Sequence, residues 1–214
     1  RGGVIGRARV KRVHPFTWSD DVRIISQKRG RLDVQIEILE AGPVGDEIIR
    51  NMVPYYVYEM AGPMGWNCKS NGTFGGCDDL AEYWQKGHPR TPIEDRWSNP
   101  EWAGIPFLIK AGQKNAGFAL IRRRSVQPVL HEVGEFFVLR KYQRQGVGRI
   151  VAHRLFSRFQ GVWEVRQMDA NLPAQAFWKR IVSEYTNGQF EDIYEETDGR
   201  RNTLQRFSSV TPSA

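Results

Sequence analysis

The chain has few cysteines: Cys68 and Cys77 are the only two in 214 residues. Two thiols do not make a disulfide framework at this length, so a reducing, cytoplasmic setting is expected. Their spacing, with His88 further on, fits no zinc template, and no metal is expected. Long apolar runs are missing too. No stretch reaches the roughly 20 residues of a bilayer-spanning helix, so no membrane contact is expected. The opening RGGVIGRARV shows no signal-peptide pattern. Internal repeats and low-complexity tracts are absent.

Acid is scarce at one end only. Residues 1–31 hold nine Arg and Lys against Asp20 and Asp21, which accounts for the whole formal net charge of +7. The remainder is neutral overall. The expected organisation is therefore a basic arm (1–31), a domain (32–208) and a short tail (209–214). The arm reads first as a solvated tail and second as a contact for nucleic acid or another polyanion.

Apolar residues make up 40% of the chain and aromatics 12%, enough for a packed core. In DVQIEILE, 33–40, apolar and polar residues alternate as in a half-buried strand. A helical pattern follows, from Ile48 toward Tyr58 and Met60, with Pro54 an expected kink. Residues 61–78 read as a loop, DDLAEYWQKG as a short helix, and 87–104 as a proline-rich loop. Strands at 105–110 and 116–124 flank the turn AGQKN. A strand at 129–139 comes next. Beyond it, Val147, Val151, Leu155 and Phe159 recur every fourth residue, as in an amphipathic helix. WEVRQMD, 163–169, is a strand. Asn171 can cap a helix with the stripe Ala174, Phe177, Trp178, Ile181, Val182 and Tyr185. A hairpin over 190–207 closes the order, which is that of a mixed α/β (α+β) domain.

The stretch LRKYQRQGVGRI, 139–150, joins the long strand to the amphipathic helix. The first amides of a helix lack internal partners and point at such a loop, where the helix dipole adds positive potential. Gly146 and Gly148 remove side chains there, and Arg140, Lys141, Arg144 and Arg149 add charge. The chemistry is that of a phosphate cradle, most simply for a pyrophosphate. The stretch is neither GxxxxGK[ST] nor GxGxxG, which excludes the two commoner cradles. A plain glycine turn with incidental arginines is the competing reading.

Gln143-x-x-Gly146-x-Gly148 resembles the Q/R-x-x-G-x-G/A motif of the GCN5-related N-acetyltransferases (GNAT). Phe136-x-Val138 resembles their L-x-V strand ending, and Asn171-x-x-Ala174-x-x-Phe177 their second helix motif. QRQGVGR looks like the loop of the bacterial ribosomal-protein acetyltransferases. The resemblance spans 33–207 and is specific over 132–178. It implies a central, mostly antiparallel sheet flanked by helices, and transfer of an acetyl group from acetyl-CoA to a primary amine of a small molecule or peptide. A non-catalytic acyl-CoA-binding or polyanion-binding module is the alternative. The resemblance further implies that the amides of Arg144, Gln145, Gly146, Val147, Gly148 and Arg149 hold the pyrophosphate. It sets the backbone of Phe136, Phe137 and Val138 against the pantetheine arm, with Arg140, Asn171 and Phe177 close by. A homodimer is one assembly open to such a domain.

Acyl transfer to an amine needs a way to remove the amine's proton. Strand parity places Glu132, Gly134, Phe136 and Val138 on one face of the 129–139 strand and Glu135, Phe137 and Leu139 on the other. By resemblance, Glu132, six residues before Val138, is the candidate base. A carboxylate in solvent or in a salt bridge is its competing reading. Glu164 in WEVR is a second candidate and His131 a weaker third. The position where the family carries a tyrosine acid holds Trp178, leaving Tyr185 or a tyrosine of the first helix for that role. Tyr55, Tyr58 and Glu59, with Tyr56 and Trp66, could form an aromatic, mildly acidic pocket for a cationic amine. Core packing is the alternative for each of them.

Overall fold

The computed structural model describes residues 35–74, 80, 83, 102–197 and 199–209. The strands are β1 (Ile36–Glu40), β2 (Trp102–Ala111), β3 (Lys114–Arg124), β4 (Leu130–Val138), β5 (Val162–Met168), β6 (Glu191–Thr197) and β7 (Arg200–Ser208). The helices are α1 (Pro43–Met64), α2 (Val147–Arg158) and α3 (Leu172–Thr186). The seven strands form one sheet in the order β1-β2-β3-β4-β5-β7-β6. Every neighbouring pair is antiparallel except β4 and β5, which α2 connects as a crossover.

The alternation of each strand sorts its side chains onto two cores. Ala119, Ile121, Val133, Trp163, Val165 and Phe207 face α2 and α3, where they meet Val151, Leu155, Phe156, Ile181 and Val182. Leu108, Phe118, Leu120 and Phe137 face α1, where they meet Ile49, Met52 and Val53. Both patterns are those of the sequence: apolar residues four apart on α2, and the Trp178–Ile181–Val182 stripe on α3. Asn171 caps α3 as expected, its side-chain oxygen accepting from Ala174 N at 3.2 Å. Gly112, at φ 57°, takes the first position of the tight β2–β3 turn, where a positive φ is needed.

Three expectations either change or fall outside the described residues. First, α1 runs from Pro43 to Met64, longer than the apolar pattern alone indicates, and continues through Pro54 and Pro63. It ends at Gly65 in a left-handed cap, so the following loop begins later than residue 61. Second, the short helix and proline loop expected over 78–104, and Val34 of the first strand, fall largely outside the described residues. Leu80 and Tyr83 are described and bury against α1.

Third, β4 carries a bulge. Leu120 pairs with Glu135 but Ile121 with Val133, so Gly134 is an extra residue. An added residue shifts the two-residue period, and Glu132 therefore sides with Glu135 and Phe137, not with Phe136 and Val138. Glycine is required there because a Cβ at 134 would overlap the Tyr83 hydroxyl.

Candidate active site

The bulge also marks where β4 and β5 part. Their parallel pairing runs from Leu130↔Val162 to Val133↔Val165 and stops. β4 continues to Val138 and β5 to Met168 without pairing to each other. The β5-facing edge of β4 beyond Gly134 is thus unused by the sheet, and unpaired main-chain donors and acceptors at an opening are a place for an extended ligand.

The opening leads into the loop 139–146. Arg140–Tyr142 form a single 3-10 turn, Arg144 is left-handed at φ 59° and Gly146 at φ 86°. The first helical bond of α2 runs from Ile150 N to Gly146 O, 3.0 Å. Among the described residues, the amides of Arg144, Gln145, Gly146, Val147, Gly148 and Arg149 have no main-chain acceptor. They form a run of donors at a helix start.

Side chains hold this loop in shape. Gln143 Nε2 donates to Val138 O at 2.8 Å and to Glu59 Oε2 at 2.9 Å. Gln145 Nε2 donates to Lys141 O at 2.5 Å. Arg140 is largely exposed, 3.6 Å from Glu59. Arg149 is paired with Glu184 at 2.6 Å, so its charge is shared with α3.

Gly148 has a different role from Gly146. A Cβ there would lie 3.1 Å from Phe177 Cζ and 3.6 Å from Phe136 Cε1. It lets α2 settle onto the two rings, while Gly146 supplies the left-handed turn. Phe136, Phe177 and Trp178 then stack as one wall, with Phe136 and Trp178 rings 5.0 Å apart.

The end of α1 lies across the mouth of the opening. Glu59 reaches the loop after β4, and Met60 Sδ accepts from Asn171 Nδ2, at the cap of α3 after β5, at 3.2 Å. Tyr56 turns inward onto Phe118 and Phe137, and its hydroxyl donates to Glu135 Oε2. Burial, then the Glu135 charge, push the Tyr56 phenol well above its ordinary pKa, so it stays protonated. Tyr55 and Tyr58 instead lie on the outer side of α1, 61% and 64% exposed, with Tyr58 against Phe74.

The candidate carboxylates lie in an ion-pair network on the α1 side of the sheet. Arg166 Nη1 donates to Glu132 Oε1 at 2.6 Å, and Arg122 is 3.9 Å from the other oxygen. Glu164 accepts two bonds from Arg206 and lies 3.7 Å from Arg166, which also donates to Glu195 at 2.5 Å. His131 is on the opposite side, buried against Phe159 and Trp163, with Nε2 3.2 Å from Gln160 O. Burial lowers its pKa.

Trp178 is buried in the α2–α3 core, and Tyr185 packs on Phe156 and Phe207 near the paired end of β5. Neither phenol nor indole of α3 is placed at the opening in the manner of Tyr56. Sequence reasoning named Tyr56 only as one of several pocket aromatics and tyrosines of the first helix, and did not single out Glu135. The glycine beside Glu135, in a strand otherwise of large residues, was the available signal of a bulge. Among the described residues no group of three or more His, Cys, Asp or Glu could hold a metal ion, and no helix is long and apolar enough to cross a membrane.

A single parallel strand pair parts here beside a donor-lined helix start, an arrangement that suits an extended, phosphate-bearing ligand. The chain belongs to the acetyltransferase (GNAT) family, whose model matches residues 75–182, just over half of its length. Acetyl transfer is the reaction class of that family. In fold the chain is similar to an acetyltransferase from Thermus thermophilus, at 14% identity and TM-score 0.52, covering 81% of this chain and 96% of that one. It is also similar to a GNAT-family protein from Desulfovibrio desulfuricans, at 11% identity and TM-score 0.51, covering 82% and 100%. A weaker likeness, at 13% identity and TM-score 0.48, covering 84% and 97%, is to the ribosomal-protein-S18-alanine N-acetyltransferase of Escherichia coli. At these identities the likeness is one of fold. No curated protein matches the sequence.

Proposed function

We propose that the protein is an acetyl-CoA-dependent N-acetyltransferase acting on a primary amine of a small molecule or peptide. One observation carries this: the unpaired edge of β4 runs directly into a loop with a run of unsatisfied amides at the start of α2. An extended amide-bearing arm suits the first and a pyrophosphate the second. The amides of Arg144 to Arg149 would hold the phosphates, with the Arg140 and Arg144 side chains adding charge. The main chain of Phe136, Phe137 and Val138 would bond the pantetheine arm. Phe177 and Asn171 would wall the opposite side.

Acetyl-CoA supplies an activated thioester. The chain's part is to place its carbonyl against an amide of the β4 edge, which stabilises the oxyanion as the amine attacks. Glu132, held between Arg122 and Arg166, and Glu164, held by Arg206, serve in this reading to fix the strands around the opening. Each is held by a guanidinium, Glu132 by Arg166 at 2.6 Å and Glu164 by Arg206 at 2.6 Å. Glu59 and the outward Tyr55 and Tyr58 lie on the acceptor side, where a cationic amine would approach. A reducing, cytoplasmic setting belongs to the same proposal, supported by the low cysteine count.

Calorimetry with acetyl-CoA and a thiol-release assay against a panel of amines test the reading. Binding by the wild type, lost in Gly146→Glu, and thiol release with at least one amine are expected. A wild type that binds no acetyl-CoA overturns it.

A further inference from the structure

Away from the opening, α3 presents a second stripe. Leu172, Gln175 and Lys179 recur at helical spacing on the flank turned to the β6–β7 hairpin, apart from the Trp178–Ile181–Val182 stripe that packs into the core. Across from them stand Thr203 and Gln205 of β7 and Tyr194 of β6. Tyr194 pairs with Thr203 and Asp192 with Gln205, so these side chains share the sheet face that carries Phe207 into the α3 core. Between helix and hairpin lies a cavity of about 250 Å³.

The floor of this cavity is buried and polar, and its rim is apolar. Gln205 is 0% exposed, whereas Leu172 and Tyr194 are largely exposed. Thr203 Oγ1 donates to Asp169 Oδ1 at 3.2 Å, so its proton is committed. Gln205 Nε2 donates to Asp192 Oδ1 at 3.1 Å. A carboxylate only accepts, which fixes the nitrogen end of the Gln205 amide on that side. Asp192 is held in turn by Lys179 Nζ at 2.5 Å. Gln205 Oε1 is left without a hydrogen-bond partner among the described residues. A fully buried carbonyl oxygen with no donor is costly, and a bound donor relieves that cost.

We propose that this cavity is a second binding site, for a small flat ring that carries an amide or amino N–H donor. The donor bonds Gln205 Oε1, and the ring lies between Leu172 and the face of Tyr194. The unmet group is an acceptor, so the ligand has to donate. Lys179 and Asp192 neutralise each other, so no net charge is asked of the ligand. Drug-sized ligands occupy roughly 300–1,000 Å³, so a cavity of this size takes one ring and not several. The flank of α3 that borders it is not the one that carries Phe177 to Gly148 and Phe136, so the site is separate from the opening beside β4. The inference therefore does not depend on acetyl transfer.

Nicotinamide, an aromatic ring with a primary amide, is the probe. Methyl nicotinate, which keeps the ring but has no N–H, is its control. Each is titrated into the isotope-labelled full chain and followed by proton–nitrogen NMR. Nicotinamide is expected to shift the side-chain amide of Gln205 and the main-chain amides of Leu172, Lys179 and Tyr194. Methyl nicotinate is expected to bind about tenfold more weakly or worse, because the buried acceptor stays unmet. Gln205→Leu removes the acceptor at similar volume and should weaken nicotinamide by about tenfold. Tyr194→Ala lies at the exposed rim, where the fold is not at stake, and should weaken it by about threefold or more. This second variant and the control ligand decide the matter even if Gln205→Leu does not fold. The absence of any shift at millimolar nicotinamide would mean that solvent alone meets Gln205, and would overturn the proposal. Equal binding of methyl nicotinate, unchanged affinity in Tyr194→Ala, or shifts confined to residues 139–149 would overturn it as well.

Discussion

Gln143 Nε2 bonds Val138 O at 2.8 Å and Glu59 Oε2 at 2.9 Å, so one amide joins the end of β4, the loop before α2 and α1. The carbonyl it satisfies is the last of β4, and the carboxylate belongs to the end of α1. The first glutamine of the motif thus sets the loop's shape without belonging to the run of amides that, among the described residues, have no main-chain acceptor.

Gln143→Leu removes both bonds and leaves a partly buried carbonyl and carboxylate without that donor. Such a loss costs about 1–3 kcal/mol. Because the loop is preorganised for its ligand, most of this should appear in binding: acetyl-CoA affinity is expected to fall by roughly five- to 100-fold. Calorimetry on the variant checks it, and unchanged affinity would remove Gln143 from the organising role.

The two glycines of the loop should respond differently to alanine. Gly146 has φ 86°, where an L-residue is strained by about 1–2 kcal/mol, so Gly146→Ala should destabilise by that amount and disturb the donor run. Gly148 is helical, and alanine there gains about 1 kcal/mol of helix propensity against a tight contact with the ring of Phe177. Gly148→Ala should therefore change stability by less than about 1 kcal/mol, while Gly148→Val, with nowhere to place two methyls, should cost about 1–3 kcal/mol. Urea unfolding of the three variants separates the roles.

Much of this arrangement could be read in the sequence, and the limits have physical causes. Period-four apolar residues on α2 and the Asn171 cap of α3 are local signals, and both elements form where these residues place them. The parting of β4 from β5 depends on which strands become neighbours, and nothing local in either strand encodes it. The side chosen by Glu132 failed for a narrower reason. Alternation counts residues two by two, and Gly134 adds one that the partner strand does not match. The inward turn of Tyr56 could not be separated from the outward turns of Tyr55 and Tyr58 in a run where all three carry the same side chain.

His131 should make the fold acid-sensitive. Its pKa in the folded chain lies below the ordinary 6.5, chiefly through burial, and among the described residues Nδ1 has no partner to receive a proton. His153 is lowered for the same first reason. Below pH 6.5 the unfolded chain binds protons that the folded chain refuses, so stability falls as pH drops. The urea midpoint should decline from about pH 7 to about pH 5, and His131→Phe with His153→Gln should flatten that decline. Glu184, lowered by its bond to Arg149, acts in a separate window below its ordinary 4.5.

The Glu132–Arg166 pair should behave as a unit. Glu132 is 4% exposed, and Arg166, at 2.6 Å, lies closer to it than Arg122 does. Arg166→Met leaves that carboxylate buried with a weaker partner in Arg122 and strips a cation from Glu164 and Glu195. Breaking a buried pair from one side costs about 3–5 kcal/mol. Adding Glu132→Leu removes the stranded charge, so the double variant should be more stable than Arg166→Met alone, although it carries one substitution more. A double-mutant cycle in urea should give a coupling of at least about 1 kcal/mol. Additive effects would mean that Glu132 does not depend on Arg166, and the assignment of Glu132 as a strand-fixing carboxylate would lose its basis.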